Sequence, residues 1–400
     1  MKILHIVGGS AKGGAFKGVE ILHNALLELD IDSNILNDTP IEKESKFFTK
    51  KIFFVNNNFS RQIITKLFVN FEKFLKSIFL KSPRSAFTIG LTGFDITKLK
   101  EYKEADIIHI HWLNQGFINL KSISRIRKPV IWTMRDMWAF TGGSHYTMDF
   151  EKYENSYLSL LIKKYKKKIF GKNIKFVAIS NWLKNKAKGS DVLKNHDINT
   201  IYNNININDF ELIDQDKAKS SLNISTKKKI LLFGAQNPQS KRKGWNLLIE
   251  TLKKLNKENF YLLIYGNFWS HKTLDKIGIE YKSMGFINDK KILNLIYCSS
   301  DIFLATSIQE AFGKTWAEAM ACNIPAICFD NTSISEIIDH KINGYIVDEF
   351  DSQKLKEGIN WMIEEKNNLK NNQIREKINQ FNSSRIAKKY IEIYKKFFTN

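Results

Sequence analysis

Short apolar runs alternate with segments of helical periodicity from one end of this chain to the other, and that alternation admits few folds. Lys2–Val7 reads as a buried strand, a glycine-rich turn follows, and Val19, Ile21, Leu22, Leu26 and Leu29 mark a helix. Further strands are expected at Ile52–Val55, Ile107–His111, Val130–Thr133 and Phe176–Ile179. The pattern fades across Tyr202–Ser225, a polar stretch rich in Asn, Asp and Lys. It resumes with Lys229–Phe233, Tyr261–Tyr265, Ile302–Ala305, Ile324–Cys328 and Tyr345–Val347. Strands alternating with helices imply parallel sheets covered on both faces, and 400 residues exceed what one core organises. The expectation is two Rossmann-like, doubly wound α/β domains, 1–208 and 209–382, with a terminal helix within 383–400 crossing back to the first. Open parallel sheets bind ligands beyond the carboxyl ends of their strands, so the active cleft is expected between the two domains.

The net charge is +21, with 33 basic against 18 acidic residues in 1–200 and 29 against 23 in 201–400. Such a field favours an anionic partner: a nucleotide, a nucleic acid or an acidic membrane surface. A lysine-rich codon usage gives the same numbers without a partner. The three cysteines, Cys298, Cys322 and Cys328, show no C-x-x-C spacing, which excludes a disulfide framework and a cysteine zinc site. No run of about 18 apolar residues occurs, and the one at Met1–Val7 is too short for a signal peptide. The compartment expected is the cytoplasm.

The densest chemistry follows the strand at Ile302–Ala305. A loop carrying Glu310 leads through Phe312, Gly313, Lys314 and Thr315 into a helix carrying Glu318. Unpaired amides at a helix start suit a diphosphate, and carboxylates beside it suit sugar or ribose hydroxyls. Gly313-Lys314-Thr315 does not end a P-loop, because the required earlier glycine is Ile308. Upstream, Lys241, Arg242 and Lys243 form a basic run before Gly244; a solvated turn is the alternative reading.

Glu310, seven intervening residues and Glu318 resemble the E-x7-E motif of retaining GT-B glycosyltransferases, and the context resembles glycosyltransferase family 4. The stretch "MGFINDKKILNLIYCSSDIFLATSIQEAFGKTWAEAMACNIPAICFD" and the later "SEIIDHKINGYIVD" look like that family's donor-binding half. "LLFGAQNPQSKRKGWNLLIE" is similar to its G-R-x-x-x-x-K-G segment, with Gln236 where arginine is usual. "GGSAKGGAFKGVEILHNALLEL" looks like its glycine-rich acceptor-side loop. "DIIHIHWLNQG", "KPVIWTMRDMWAFTGGSHY", "FVAISNWL" and "IYNNININDF" resemble a subgroup that builds bacterial surface polysaccharides.

The resemblance implies a GT-B fold and transfer of a hexose-like unit from a nucleoside diphosphate sugar to a glycan or lipid-linked acceptor, with retention and without a metal or other cofactor. It places base contacts at Gly285 and Phe286, ribose on Glu318, and the diphosphate on Arg242, Lys243 and amides of Phe312, Gly313, Lys314 and Thr315. Glu310 would meet the transferred sugar, and Gly13 and Gly14 would let the backbone approach the donor closely. His111 and Asp136 are the catalytic candidates of the first domain. Arg135 stands where many relatives have histidine, so a proton-accepting role there falls to Asp136 or disappears; His111 has a satisfied structural histidine as its alternative. The Asp-x-Asp patterns Asp30/Asp32 and Asp214/Asp216 lie in connecting stretches, so no metal site is expected from them.

Ile64, Leu67, Phe68, Phe71, Leu75, Ile78 and Phe79 follow helical spacing within 61–81, with Lys66, Lys73, Lys76 and Lys81 at other positions. Such a helix can lie on an anionic membrane at the inner face, or pack on the first sheet with a solvated lysine face. Lys163, Lys164, Lys166, Lys167 and Lys168 read as a second basic patch. No nucleic-acid partner is expected; a basic nucleic-acid-binding protein and a non-catalytic nucleotide-sugar binder are the rival readings.

Overall fold

The first apolar run forms β1 (Lys2–Val7), and its parallel neighbours follow the alternation. The computed structural model describes residues 1–9, 13–38, 51–55, 59–79, 87–113, 116–171, 173–365 and 371–398. Two units divide the chain, Met1–Asn204 with Ser383–Asn400, and Ile205–Asn382. The first holds β1, β2 (Asp32–Asn37), β3 (Ile52–Phe54), β4 (Ile107–Trp112), β5 (Val130–Met134), β6 (Ile174–Ala178) and β7 (Ile198–Thr200) in the order β3-β2-β1-β4-β5-β6-β7. The second holds β8 (Lys229–Gly234), β9 (Phe260–Tyr265), β10 (Glu280–Ser283), β11 (Ile302–Ala305), β12 (Ala326–Phe329) and β13 (Gly344–Val347) in the order β10-β9-β8-β11-β12-β13. The described pairings between these strands are all parallel.

Three strands lie where no apolar run announces them. β7 and β10 are short edge strands, and an edge needs less apolar cover. β2 reads DSNILN and is buried nonetheless, because its polar groups are bonded inside. Ser33 Oγ meets His23 Nδ1 at 2.7 Å, and Asn37 Nδ2 donates to the Val7 carbonyl at 2.7 Å. The hydrogen bonds offset the cost of burying those groups.

The core of the first unit is apolar at its base and polar toward the strand ends. Ile3, Leu22, Leu26, Ile107, Ile131 and Val177 pack with Ile386, Tyr390 and Tyr394 of the C-terminal helix Ser383–Lys395. His109 and His111, two apart on β4, share one face with ring centroids 3.9 Å apart. His109 bonds Tyr394 Oη and Thr133 Oγ1, each at 2.7 Å, and Thr133 bonds Tyr390 Oη at 2.9 Å. His5 Nδ1 lies 2.9 Å from His111 Nε2. Burial first, then the neighbouring histidines and Arg135, which oppose a further proton, hold His5, His109 and His111 well below the ordinary histidine range.

The helix α2 (Phe59–Phe79) inverts one expectation; Lys81 lies outside the described residues. Its fully buried residue is Glu72, whose carboxylate accepts from the amides of Ile89 and Gly90 at 3.1 and 3.0 Å and from Thr92 Oγ1 at 3.0 Å. Phe68 and Leu75 lean inward. Leu67, Phe71, Phe74 and Ile78 stand outside, 50–63% exposed, so the helix does not turn its whole apolar stripe onto the unit. Lys166 corrects the reading of a second basic patch. It is fully buried, its ammonium donating to the carbonyls of Trp138 and Thr141 over the Trp138 ring. No described helix is long and apolar enough to cross a membrane.

The buried histidines set a pH dependence. Their folded pKa values lie below the unfolded value, with His23 lowered to about 4, so protons bind the unfolded chain preferentially below pH 6.5. Stability is full above pH 6.5 and is lost as pH falls toward 4, by up to ~1.4 kcal/mol per pH unit for each group. Urea midpoints should hold level from pH 7.5 to about 6.5 and then fall toward pH 5; a flat profile below pH 6.5 refutes this account.

Candidate functional site

In the second unit the chain leaves β8 at Gly234 and makes one tight turn, Lys241–Lys243, before the helix Trp245–Lys254. Gly244 closes that turn at φ +71°, and a Cβ there would stand 1.9 Å from the Thr306 carbonyl oxygen. Only glycine permits both the conformation and the approach. Thr306 Oγ1 donates to the Lys243 carbonyl at 2.9 Å, and the Ile308 amide to the Arg242 carbonyl at 2.8 Å. The basic turn is thus fastened to the loop after β11.

That fastening brings the predicted residues together. Lys243 Nζ pairs with Glu310 Oε2, and Arg242 Nη1 lies 3.7 Å from the same oxygen. Glu310 is 8% exposed. Gly313, at φ +77°, turns the chain into the helix Lys314–Ala321, which has no side-chain cap. Phe312 is buried between Trp316 and Phe381, so it contributes amide and packing rather than an exposed ring. Glu318, within that helix, accepts from Tyr297 Oη at 2.8 Å, and Tyr297 meets Tyr265 Oη at 2.8 Å. Lys314, Thr315 and Glu318 are half-buried. Gly285 adopts φ +66° with open space over its α-carbon, and Phe286 beside it is exposed. Cations, uncapped amides and two carboxylates therefore collect at the carboxyl ends of β8 and β11. The Tyr265–Tyr297 prop had no sequence signal, since its tyrosines meet only after β9 and the helix Lys290–Cys298 pack.

In the first unit Gly13 caps α1 (Gly14–Leu27) at φ −75°, and nothing lies within 4 Å of a Cβ on Gly14. Space is open there, as close approach of a ligand requires; Lys12 lies outside the described residues. His111 is buried at the end of β4, with Arg135 Nε 3.4 Å from its Nδ1. Asp136 accepts from the Trp138 amide at 2.9 Å and from Trp112 Nε1 at 2.7 Å, and meets His145 Nδ1 at 2.6 Å. Although burial alone would raise it, His145 and these donors hold the Asp136 carboxyl below the usual range.

His5, His109 and His111 place three ring nitrogens within 4.8 Å of one another, the geometry of a metal cluster. Their hydrogen bonds argue otherwise. Arginine only donates, so His111 Nδ1 accepts, His111 Nε2 carries the proton, and His5 Nδ1 accepts it. Ligation through His111 Nε2 would break that chain. Asp32 pairs with Lys51, and Asp214 caps the helix Gln215–Ser221, so these carboxylates serve local structure.

Residues 214–380 match the family model described as "Glycosyl transferases group 1", and the second unit thus carries a group 1 glycosyltransferase domain. The chain is 24% identical over 328 residues to a 41.2 kDa protein in the cps region of Klebsiella pneumoniae, covering 80% of this chain and 87% of that one. Its fold resembles a glycosyltransferase of Rickettsia africae, with TM-score 0.67, 20% identity and coverage of 100% and 99%. It also resembles Anabaena HepE solved with UDP-glucose, with TM-score 0.68, 18% identity and coverage of 99% and 100%. The two parallel-sheet domains have the GT-B fold, as in those structures.

The Lys243–Glu310 pair is testable by stability. Lys243→Met removes the nearer of the two cations paired with the Glu310 carboxylate and should cost ~2–3 kcal/mol, below the 3–5 of a wholly stranded charge. Adding Glu310→Gln should recover at least ~1 kcal/mol of that loss. Urea midpoints of the two single variants and the double variant give the coupling, and strict additivity excludes it.

Proposed function

We propose that this protein is a retaining glycosyltransferase of family 4 type that moves a hexose-like unit from a nucleoside diphosphate sugar onto a glycan or lipid-linked acceptor in surface-polysaccharide synthesis. The observation that carries the reading is the convergence of Lys243, Arg242, Glu310 and the uncapped helix Lys314–Ala321 at one end of the second sheet. A relative in a cps region and a related fold solved with UDP-glucose support the pathway and the donor class.

The second unit takes the donor. Gly285 and Phe286 border the base, and Glu318, aimed by Tyr297, accepts from ribose hydroxyls. Lys243 and Arg242, with the amides of Phe312, Gly313, Lys314 and Thr315, face the diphosphate. Glu310 sets the two cations at one point and accepts from hydroxyls of the transferred sugar. As the anomeric carbon–oxygen bond breaks, charge grows on the diphosphate where these fixed donors stand. The acceptor oxygen bonds the anomeric carbon on the same face, and its proton passes to the leaving phosphate oxygen. The products are the nucleoside diphosphate and a glycoside of unchanged configuration. No metal is required, because the cations and the helix start supply the positive charge. The first unit holds the acceptor; there Asp136 and His111 act as positioning groups, since their polar atoms already have partners.

Screening nucleoside diphosphate sugars for thermal stabilisation and slow hydrolysis tests the reading. Turnover should survive EDTA, and Glu310→Gln and Lys243→Met should lower it about 100-fold or more. A protein that no such sugar stabilises, or whose turnover ignores both substitutions, is not this enzyme.

A peripheral membrane site accompanies this function. The outward stripe of Leu67, Phe71, Phe74 and Ile78 is flanked by the exposed Lys66 and Lys73, which suits an interface rich in anionic lipid at the inner face. Sedimentation with vesicles containing phosphatidylglycerol should fall several-fold for Leu67→Ser/Phe71→Ser/Phe74→Ser and for Lys66→Glu/Lys73→Glu. Equal sedimentation of both variants and the parent removes α2 from the membrane.

A further inference from the structure

Arg135 is a cation without an acid. It follows β5 directly and is part-buried. Its Nη1 donates to Asn203 Oδ1 at 2.8 Å, and its Nε and Nη2 lie 3.4 and 3.3 Å from His111 Nδ1. No carboxylate oxygen forms an ion pair with it among the described residues. Burial lowers its pKa to about 10, which leaves it charged at neutral pH. The groups electrostatically coupled to it are His111, His109 and His5, all kept neutral, and the phenol of Tyr390, while the neighbouring Asp136 is taken by His145, Trp112 and the Trp138 amide. A charge withdrawn from water ordinarily takes a counter-charge.

The surroundings keep this cation in place. A Cβ on Gly18 of α1 would fall 2.3 Å from Arg135 Nη1, so α1 carries no side chain where the guanidinium lies. Asn203 and His111 engage three of its N–H directions and leave two. The position is the carboxyl end of the first sheet, beside the β1–β4 junction where the strand order reverses, which is where open parallel sheets hold ligands. The N-cap residue of α1, Gly13, offers no side-chain cap at that end, and no acidic residue lies in the first turn.

We propose that Arg135 anchors an oxyanion, a carboxylate or a phosphate, carried by the substrate of the first unit, and that it thereby selects an acidic sugar over a neutral one. The word substrate rests on the transferase reading; the anion site does not. Two N–H groups left on a planar guanidinium match two oxygens of one such group, which a neutral hydroxymethyl cannot offer.

The test uses the full-length protein at constant ionic strength, with D-glucuronate, glucose 1-phosphate and glucose as probes, read by saturable thermal stabilisation. At least one acidic probe should stabilise the parent and glucose should not; response to glucuronate assigns a carboxylate and response to glucose 1-phosphate a phosphate. Arg135→Gln should weaken that probe at least tenfold, Arg135→Lys should weaken it less, and the exposed Lys164→Gln should leave it unchanged. Without probe, Arg135→Gln should melt at or above the parent, because it removes an uncompensated charge. A melting temperature several degrees lower makes Arg135 a structural cation and overturns the proposal. So does probe binding that is equal in parent and Arg135→Gln, and so does stabilisation by none of the acidic probes. Arg135-dependent binding in a protein that turns over no nucleotide sugar keeps the anion site and removes the transferase reading instead.

Discussion

A parallel sheet buried on both faces leaves only its strand ends free for chemistry, and both units obey that constraint. In the second unit the polar groups of the candidate site lie where strands give way to loops and helix starts. There the ends of β8 and β11 are drawn together by hydrogen bonds from the Thr306 hydroxyl and the Ile308 and Gln309 amides to carbonyls of the Lys241–Lys243 turn. Lys243 and Glu310 can meet only because that stitching has placed their backbones first. Gly244 is the hinge pin of the arrangement, since any larger residue would strike the Thr306 carbonyl.

The first unit answers the same constraint differently. It admits polar residues into the sheet itself: His5 bonds His111, and His109 and Thr133 bond each other and two tyrosines of the C-terminal helix. Tautomer order passes from Arg135 through His111 to His5, and the end of that line, His5 Nε2, has no partner among the described residues. The network therefore fixes side-chain orientation at some cost in stability, which is a common bargain near binding sites.

Much of this is legible in the sequence, and the failures have physical causes. Strands buried on both faces announce themselves as apolar runs, so β1, β4, β5, β8, β9 and β11 stand out. β2 does not, because Ser33 and Asn37 are buried by virtue of partners that sequence cannot supply. The interval from Glu310 to Glu318 is visible as spacing; the tyrosines that aim Glu318 are not, since they come from separate elements. For α2, periodicity shows the helix but not which face turns inward. That was decided by one carboxylate, Glu72, and the amides of Ile89, Gly90 and Thr92 that receive it. Lys166 misleads in the same way, since a lysine among lysines gives no hint of the two carbonyls and the indole ring that accept it.

The C-terminal helix has a consequence for the order of events during synthesis. Ile386, Tyr390 and Tyr394 complete the core of the first unit, and Tyr394 supplies the hydroxyl that meets His109. These residues are translated after the whole of Ile205–Asn382. On the ribosome the first unit must therefore wait, with Leu22, Leu26 and Ile131 uncovered, while the second unit is made and can close on its own. The part begun first is finished last, and until then its half-built core is the segment of the nascent chain that most needs a chaperone.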